Sequence, residues 1–349
     1  MPYIPSQSIE HAFFRSLSFL FYFILFYLCS AAAYSDEKNH STEKYRPTLF
    51  NFFNLNDNHY FKYQTKVRTG YLTGQFNWNI AADLYGKENP NILSELTYNN
   101  LTSSNILLSE TLYFKPHYLK DFFIHAEAEY GKIYSGLIQD SDYDGNNKSQ
   151  EYSRSFSDPK GSEIKNFLGS VGGIITETGI HKLSIEGGVS LNQQHFQKKN
   201  GVQVLSTSLR TADNGAFSGL NSTYNANWLS GFLGLEETLK FRKDSVKLGA
   251  RFFWSDYQAI ADWNLRRDFA HPRSFQHDAT GKGICLNVSY LYPLFKQFLL
   301  QLSAEKSRFV TNSGTDTVFF KNGGVGVTKL NEVNWESMNY SFGVSYLFE

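Results

Sequence analysis

Residues 338–348 read Met-Asn-Tyr-Ser-Phe-Gly-Val-Ser-Tyr-Leu-Phe, and the parity of that stretch decides the fold. On an extended chain successive side chains point to opposite faces. Met338, Tyr340, Phe342, Val344, Tyr346 and Phe348 then share one face, while Asn339, Ser341, Gly343 and Ser345 share the other. An apolar, aromatic face opposite a small polar one is the lipid-out, lumen-in pattern of a transmembrane barrel strand. The parity repeats outward from this stretch. Phe122, Ile124, Ala126, Ala128 and Tyr130 oppose His125, Glu127 and Glu129. Leu183, Ile185, Val189 and Leu191 oppose Lys182, Ser184 and Glu186, and Val246, Leu248, Phe252 and Trp254 oppose Lys247 and Arg251. Strands of a soluble sandwich also alternate, but over about five or six residues. Here the alternation often runs for about nine to eleven residues, the length of a tilted strand crossing a bilayer.

Composition agrees. Aromatic residues make up 17% of the 349 residues and charged residues only 19%, below the roughly 25% of ordinary soluble domains. Lys plus Arg and Asp plus Glu are equal at 33 each, so the chain lacks the basic excess that nucleic-acid binding requires. Connections between the alternating stretches are short near residues 115–120, 176–179, 242–245 and 293–296. They are long near 82–90, 137–162, 197–222, 262–283 and 312–334. Four short and five long connections join ten strands, with short turns expected at the periplasm and long loops outside.

The first residues carry an address. Arg15 precedes the apolar run Leu17–Leu28, and Ala31-x-Ala33 fits a small-residue cleavage site. The run is shorter than the about 20 residues of a spanning anchor. We therefore expect a signal peptide at 1–33, an N-terminal lead-in at 34–63 and an outer-membrane β-barrel at 64–349. Cys29 falls in the leader, which leaves Cys285 without a disulfide partner, and no zinc-ligand spacing occurs. No metal or cofactor is expected.

Within the barrel, Glu127, Glu129, Glu186, Glu305, Lys182, Lys247 and Arg251 point inward and should neutralise one another, which argues against a wide pore. Chemistry is expected on two loops. In Gln139-Asp140-Ser141-Asp142-Tyr143, carboxylates at i and i+2 point the same way from an extended backbone. The Asp-rich start followed by Glu151 also has the outline of half a calcium loop, and a plain surface turn accounts for it as well. The fourth long loop holds Arg266, Arg267, Asp268, His271, Arg273, His277 and Asp278. A histidine beside an aspartate can act as a general base. Solvated loop charge is the competing reading for each loop alone. The second and fourth of five loops, however, face each other across the mouth of a ten-strand barrel.

That layout resembles the omptin family of outer-membrane proteases, in strand order, loop lengths and the closing strand. The resemblance implies a water activated between an Asp-x-Asp on the second loop and an Asp–His couple on the fourth. Asp140 and Asp142 match the first half, and His271 is the best match to the histidine. The family's Asp-x-His is here Asp268-x-x-His271, and the extra residue turns the aspartate away. A bulge, Asp262, or His277 with Asp278 would have to rebuild the couple. The chain also resembles the Protochlamydia outer membrane protein family, through Trp78-Asn79-Ile80-Ala81, Asn89-Pro90-Asn91-Ile92-Leu93-Ser94-Glu95-Leu96-Thr97-Tyr98, Gln139–Tyr143, Glu151-Tyr152-Ser153-Arg154-Ser155 and His271-Pro272-Arg273-Ser274-Phe275-Gln276-His277. This implies an outer-membrane location and leaves activity open. The expected function is an integral outer-membrane barrel with a polar rim cleft in a surface-binding or envelope role. An omptin-like endopeptidase using Asp140, Asp142, His271 and Asp268 is the alternative, and a narrow channel the third. Expected partners are outer-membrane lipid, lipopolysaccharide in particular, and a peptide or host protein at the rim.

Overall fold

A computed structural model describes residues 61–348 apart from 115–121, 208–210 and 296. The proposed leader and nearly all of the lead-in lie outside the described residues. The first strand starts at Phe61, so residues 61–63 belong to the barrel rather than to the lead-in.

In chain order the strands are β1 (Phe61–Ile80), β2 (Ser94–Phe114), β3 (Phe122–Gly145), β4 (Ser149–Asp158), β5 (Glu163–Thr178) and β6 (His181–Ser206). They continue with β7 (Gly215–Ala216), β8 (Ser222–Phe241), β9 (Asp244–Asp262) and β10 (Phe275–Pro293), then β11 (Phe298–Thr311), β12 (Gly314–Phe319) and β13 (Val325–Phe348). Every pairing is antiparallel. Ten strands make the wall, and β13 closes it against β1 in a ladder from Tyr63↔Phe348 to Ile80↔Leu330. The other three are extensions. β4 continues the line of β5 between β3 and β6. β12 continues that of β11 between β10 and β13. β7 is a two-residue pairing on β6.

The outward faces follow the sequence parity. Tyr340, Phe342 and Val344 are exposed on β13, and Ser345 opposite them is buried. Val67, Tyr71, Ile106, Leu108, Leu248, Phe252, Leu286 and Leu302 continue the apolar belt around the wall. Closure of β13 on β1 pairs both borders of the ten-strand wall, the condition for a sheet to sit in lipid.

The long connections differ from expectation. Much of 137–162 is a β3–β4 hairpin with a turn at Asn146–Lys148, β6 runs on to Ser206, and 314–330 is a β12–β13 hairpin. The 26 residues of β6 reach roughly 85 Å at about 3.3 Å each, far beyond the bilayer. The strands keep pairing past the lipid, where outward residues such as Gln75, Asn77 and Gln258 are polar and Val202, Val204, Val325 and Val327 are exposed valines. Hydrophobic alternation is lost there although the ladder is not.

Two layers fill the lumen. Toward the short turns it is charged. Arg68 Nη2 meets Glu127 at 3.1 Å, Arg251 Nε meets Glu186 at 2.6 Å, and Lys247 Nζ meets Glu236 at 2.6 Å. Toward the long loops it is aromatic. Phe76, Tyr98, Phe196, Tyr224 and Trp228 are fully buried. Tyr98 stacks on Phe196 at 4.2 Å, and Phe253 packs on Phe309 at 5.1 Å. The inward parity is therefore charged in the turn half and largely apolar in the layer above it. In the loop half the same face carries Trp335, Phe253 and Tyr257, a hydrophobic core inside the barrel.

Candidate functional site

The aromatic layer is the floor of the loop-end rim, and β3 supplies one side of that rim. Asp140 lies opposite Leu96 on β2 and Ser155 on β4, and Asp142 opposite Ser94 and Ser153. Leu96, Ser153 and Ser155 are buried, so both carboxylates face into the mouth. The i, i+2 spacing alone brings them to one side. Asp140 Oδ2 accepts from Lys198 Nζ on β6, a lysine whose side chain is 7% exposed. The same ammonium lies 5.2 Å from the centre of the Trp263 ring. Burial, reinforced by the charge of Asp140, pushes the Asp142 carboxyl up to about 6, against hydrogen bonds from Ser94 and Ser153.

The connection from β9 to β10 supplies the other side. Asp262 ends β9, and its Oδ1 lies 2.5 Å from His271 Nδ1. His271 Nε2 points at the Arg266 backbone oxygen at 3.1 Å. Asp268 is held elsewhere, by Arg266 through Nε at 3.0 Å and Nη2 at 2.7 Å. The hydrogen bonds from Arg266 to Asp268, with a further contribution from the charges of Asp142 and Asp140, raise the guanidinium above its ordinary value. Arg266 thus sits in the field of both sides, and it stacks over Phe269 at 4.0 Å. Backbone bonds from Ala270 to Phe319 and from Lys321 to Asp268 dock this connection onto the β12–β13 hairpin. Among the described residues no hydrogen bond or ion pair joins His271 to Asp140 or Asp142.

The model of the Protochlamydia outer membrane protein family matches residues 66–348, nearly the whole described barrel. The chain belongs to that family. No curated protein matches its sequence. Among solved structures, the outer membrane protease OmpT from Escherichia coli aligns with a TM-score of 0.66 at 14% identity, over 82% of this chain and 97% of that one. The translocator domain of autotransporter NalP from Neisseria meningitidis aligns at a TM-score of 0.33 and 9% identity, over 83% and 89%. The OprG outer membrane protein of Pseudomonas aeruginosa aligns at 0.26 and 12%, over 82% and 96%. The likeness to OmpT is one of fold. With the family, it places this Protochlamydia-type barrel in the outer membrane.

In this family member the sequence-chosen residues divide into groups. Asp140 and Asp142 come together on one side of the rim. His271 stands on the other, coupled to Asp262 rather than to Asp268, because the guanidinium of Arg266 takes both oxygens of Asp268. His277 is fully buried below the rim, with Tyr224 Oη 2.8 Å from its Nδ1 and Asp316 Oδ1 3.2 Å from its Nε2. Asp278 faces the other way, toward Gln258 and Gln276. The calcium outline does not gather its donors, since Asp140 is taken by Lys198 and Glu151 by Arg154. Reading the sequence missed Lys198 and Trp263 as rim residues, and it placed Arg266 on the loop without its pairing to Asp268. Lys198 carried a usable signal: it continues the inward parity of Lys182, Ser184 and Glu186 along the same strand.

Proposed function

We propose that this barrel binds a ligand at its loop-end rim, as a surface or envelope component, and does not hydrolyse one. The observation that carries this reading is the state of His271. Both ring nitrogens face oxygen acceptors, the Asp262 carboxylate and the Arg266 carbonyl. Both ring nitrogens are thus engaged within their own connection, and neither is turned to a water between the two sides of the mouth. Asp140 is likewise committed to Lys198. What remains at the mouth is the Asp142 carboxyl, with the Arg266–Asp268 pair and the Trp263 ring, a polar and aromatic surface suited to holding a peptide or a loop of a host protein. The outward apolar belt suits outer-membrane lipid, with lipopolysaccharide in the outer leaflet.

The endopeptidase reading keeps one observation on its side: an Asp–His couple stands across the mouth from two carboxylates. To act, it would need Lys198 withdrawn from Asp140 and the His271 ring turned off the Arg266 carbonyl. The test is cleavage of a peptide library by the refolded full chain in lipopolysaccharide. The expected result is no turnover, with peptide retention weakened about tenfold in Asp142→Asn. Turnover that disappears in His271→Ala and in Asp140→Ala, with the barrel intact, would overturn the binding reading.

A further inference from the structure

A second polar site lies outside the barrel. On β1 and β13 the inward residues at the loop end are Phe76, Trp78 and Trp335, all buried. Their neighbours Gln75, Asn77 and Asn334 therefore face outward. These outward residues, with Glu95 and Thr97 of β2, line a pocket of about 430 Å3. That volume lies within the range of small-molecule sites, about 300–1,000 Å3. One end is walled by Lys148, whose Nζ meets Glu95 Oε1 at 2.6 Å. The other is walled by Arg308 of β11.

Three properties of the pocket select its ligand. Its charges are largely spent: Glu95 is paired with Lys148, Glu336 with Lys306, which stands outside the lining, and the lining's remaining charges are Glu332 and Arg308. A phosphate or a cationic group would find no excess of opposite charge. Its side-chain lining is hydrogen-bonding, and its amides are only partly used. Asn334 Nδ2 donates to Asn77 Oδ1 at 3.0 Å, which leaves the Asn77 amide nitrogen and the Asn334 oxygen with no further bond among the described residues. One unused donor and one unused acceptor side by side match adjacent hydroxyls, each of which donates and accepts. Finally, its one aromatic lining residue, Trp335, is buried with its side chain on the inward face, so the surface offered to a ligand is mainly polar.

We infer that this outer-wall pocket binds a neutral, hydroxyl-rich saccharide. The site is separate from the rim and independent of the function proposed for it. It starts four residues along β1 from Tyr71 and four along β13 from Tyr340, both exposed in the apolar belt. A sugar carried on a membrane lipid and a sugar free in the medium both reach that height.

The test uses the refolded full chain in two arms. In micelles, a panel of soluble neutral oligosaccharides is titrated and followed by saturation-transfer NMR. In phosphatidylethanolamine nanodiscs, lipopolysaccharide bearing a neutral polysaccharide chain is compared with lipid A, which lacks that chain. The variants are Asn77→Ala/Asn334→Ala, which removes both partners of one bond, and Glu332→Gln, which keeps the shape. Barrel integrity is read from heat-modifiable gel migration. Binding in micelles, weakened about tenfold or more in both variants, supports the inference with a free sugar as ligand. A preference for the sugar-bearing lipid, lost in both variants, supports it with a lipid-linked sugar. Equal behaviour of native and variant barrels in both arms overturns it. Retention of neutral peptides without any saccharide binding also overturns it.

Discussion

The two ends of the lumen solve the same problem with opposite chemistry. At the turn end, Arg68, Arg251 and Lys247 are spent on Glu127, Glu186 and Glu236. At the loop end, Phe76, Tyr98, Phe196, Tyr224 and Trp228 fill the space with rings. Ion pairs demand geometry and repay little beyond the cost of desolvating them. Packed rings stabilise through burial and contact. The rim residues stand on the ring-filled half, so their floor is rigid and dry. The difference teaches that apolar burial in this lumen is concentrated beneath the loop end, while the turn end is filled by ion pairs.

The strongest way to break the comparison is to ask which end faces out. Protease-cleavable tags inserted at 146–148 should be cut on intact cells, and tags at 242–243 should be cut only after the envelope is opened. The reverse pattern would exchange the two ends. Next comes the energetic contrast. Trp228→Ala should cost about 3–5 kcal/mol, read from the shift in the urea midpoint of the refolded barrel. Arg251→Ala should cost about 3 kcal/mol by stranding Glu186, whereas Arg251→Met with Glu186→Met should be near neutral. A double variant as damaged as the tryptophan variant would show that the charged layer carries as much stability as the rings. A conductance measurement sharpens the same point. Tyr98→Ala/Phe196→Ala should still show no unitary current in a planar bilayer, because the ionic layer lies in series below. A steady current would mean that the rings alone seal the lumen.

The smallest expected effect is at Asp142. Its carboxyl is held up at about 6, above the usual value of about 3.9 in an unfolded chain. Between those two values the folded state binds the extra proton, so stability falls as pH rises through that window. Asp142→Asn removes the charge, and should stabilise the barrel by roughly 1 kcal/mol above pH 6. The gain should fade as pH drops toward 4, checked by thermal melts across that range. A gain independent of pH would place its cause in packing instead.

The wall was legible in the sequence because lipid imposes a strict period. Tyr340, Phe342 and Val344 have no choice of face, and ten such stretches could be counted. The upper strands were hidden because water imposes no such period. The ladder of β3 and β4 through residues 138–158 carries serines, aspartates and an arginine that read equally well as loop. The ring layer was hidden for a related reason: Trp335 and Phe253 sit on a parity that is polar one or two turns of the pleat lower down. At the rim, the two aspartates followed from local spacing, which a strand preserves. The partner of His271 did not. Asp268 is nearer in sequence, yet a turn returns His271 to the end of β9, where Asp262 waits. The lysine on Asp140 comes from 58 residues away, and the pairing of β4 and β5 with both β3 and β6 brings it there.

The seam between β1 and β13 has a kinetic meaning. Its pairs join residues as far apart as Tyr63 and Phe348, so this ladder closes the longest loop among the described strands. Until it forms, the growing sheet carries two naked borders, each an invitation to a neighbouring chain. Contacts of such long range are slow to find. Assembly must therefore pass through a stage that is nearly complete in its pairings and still open, and anything that holds those two borders apart from other chains sets the yield of the finished barrel.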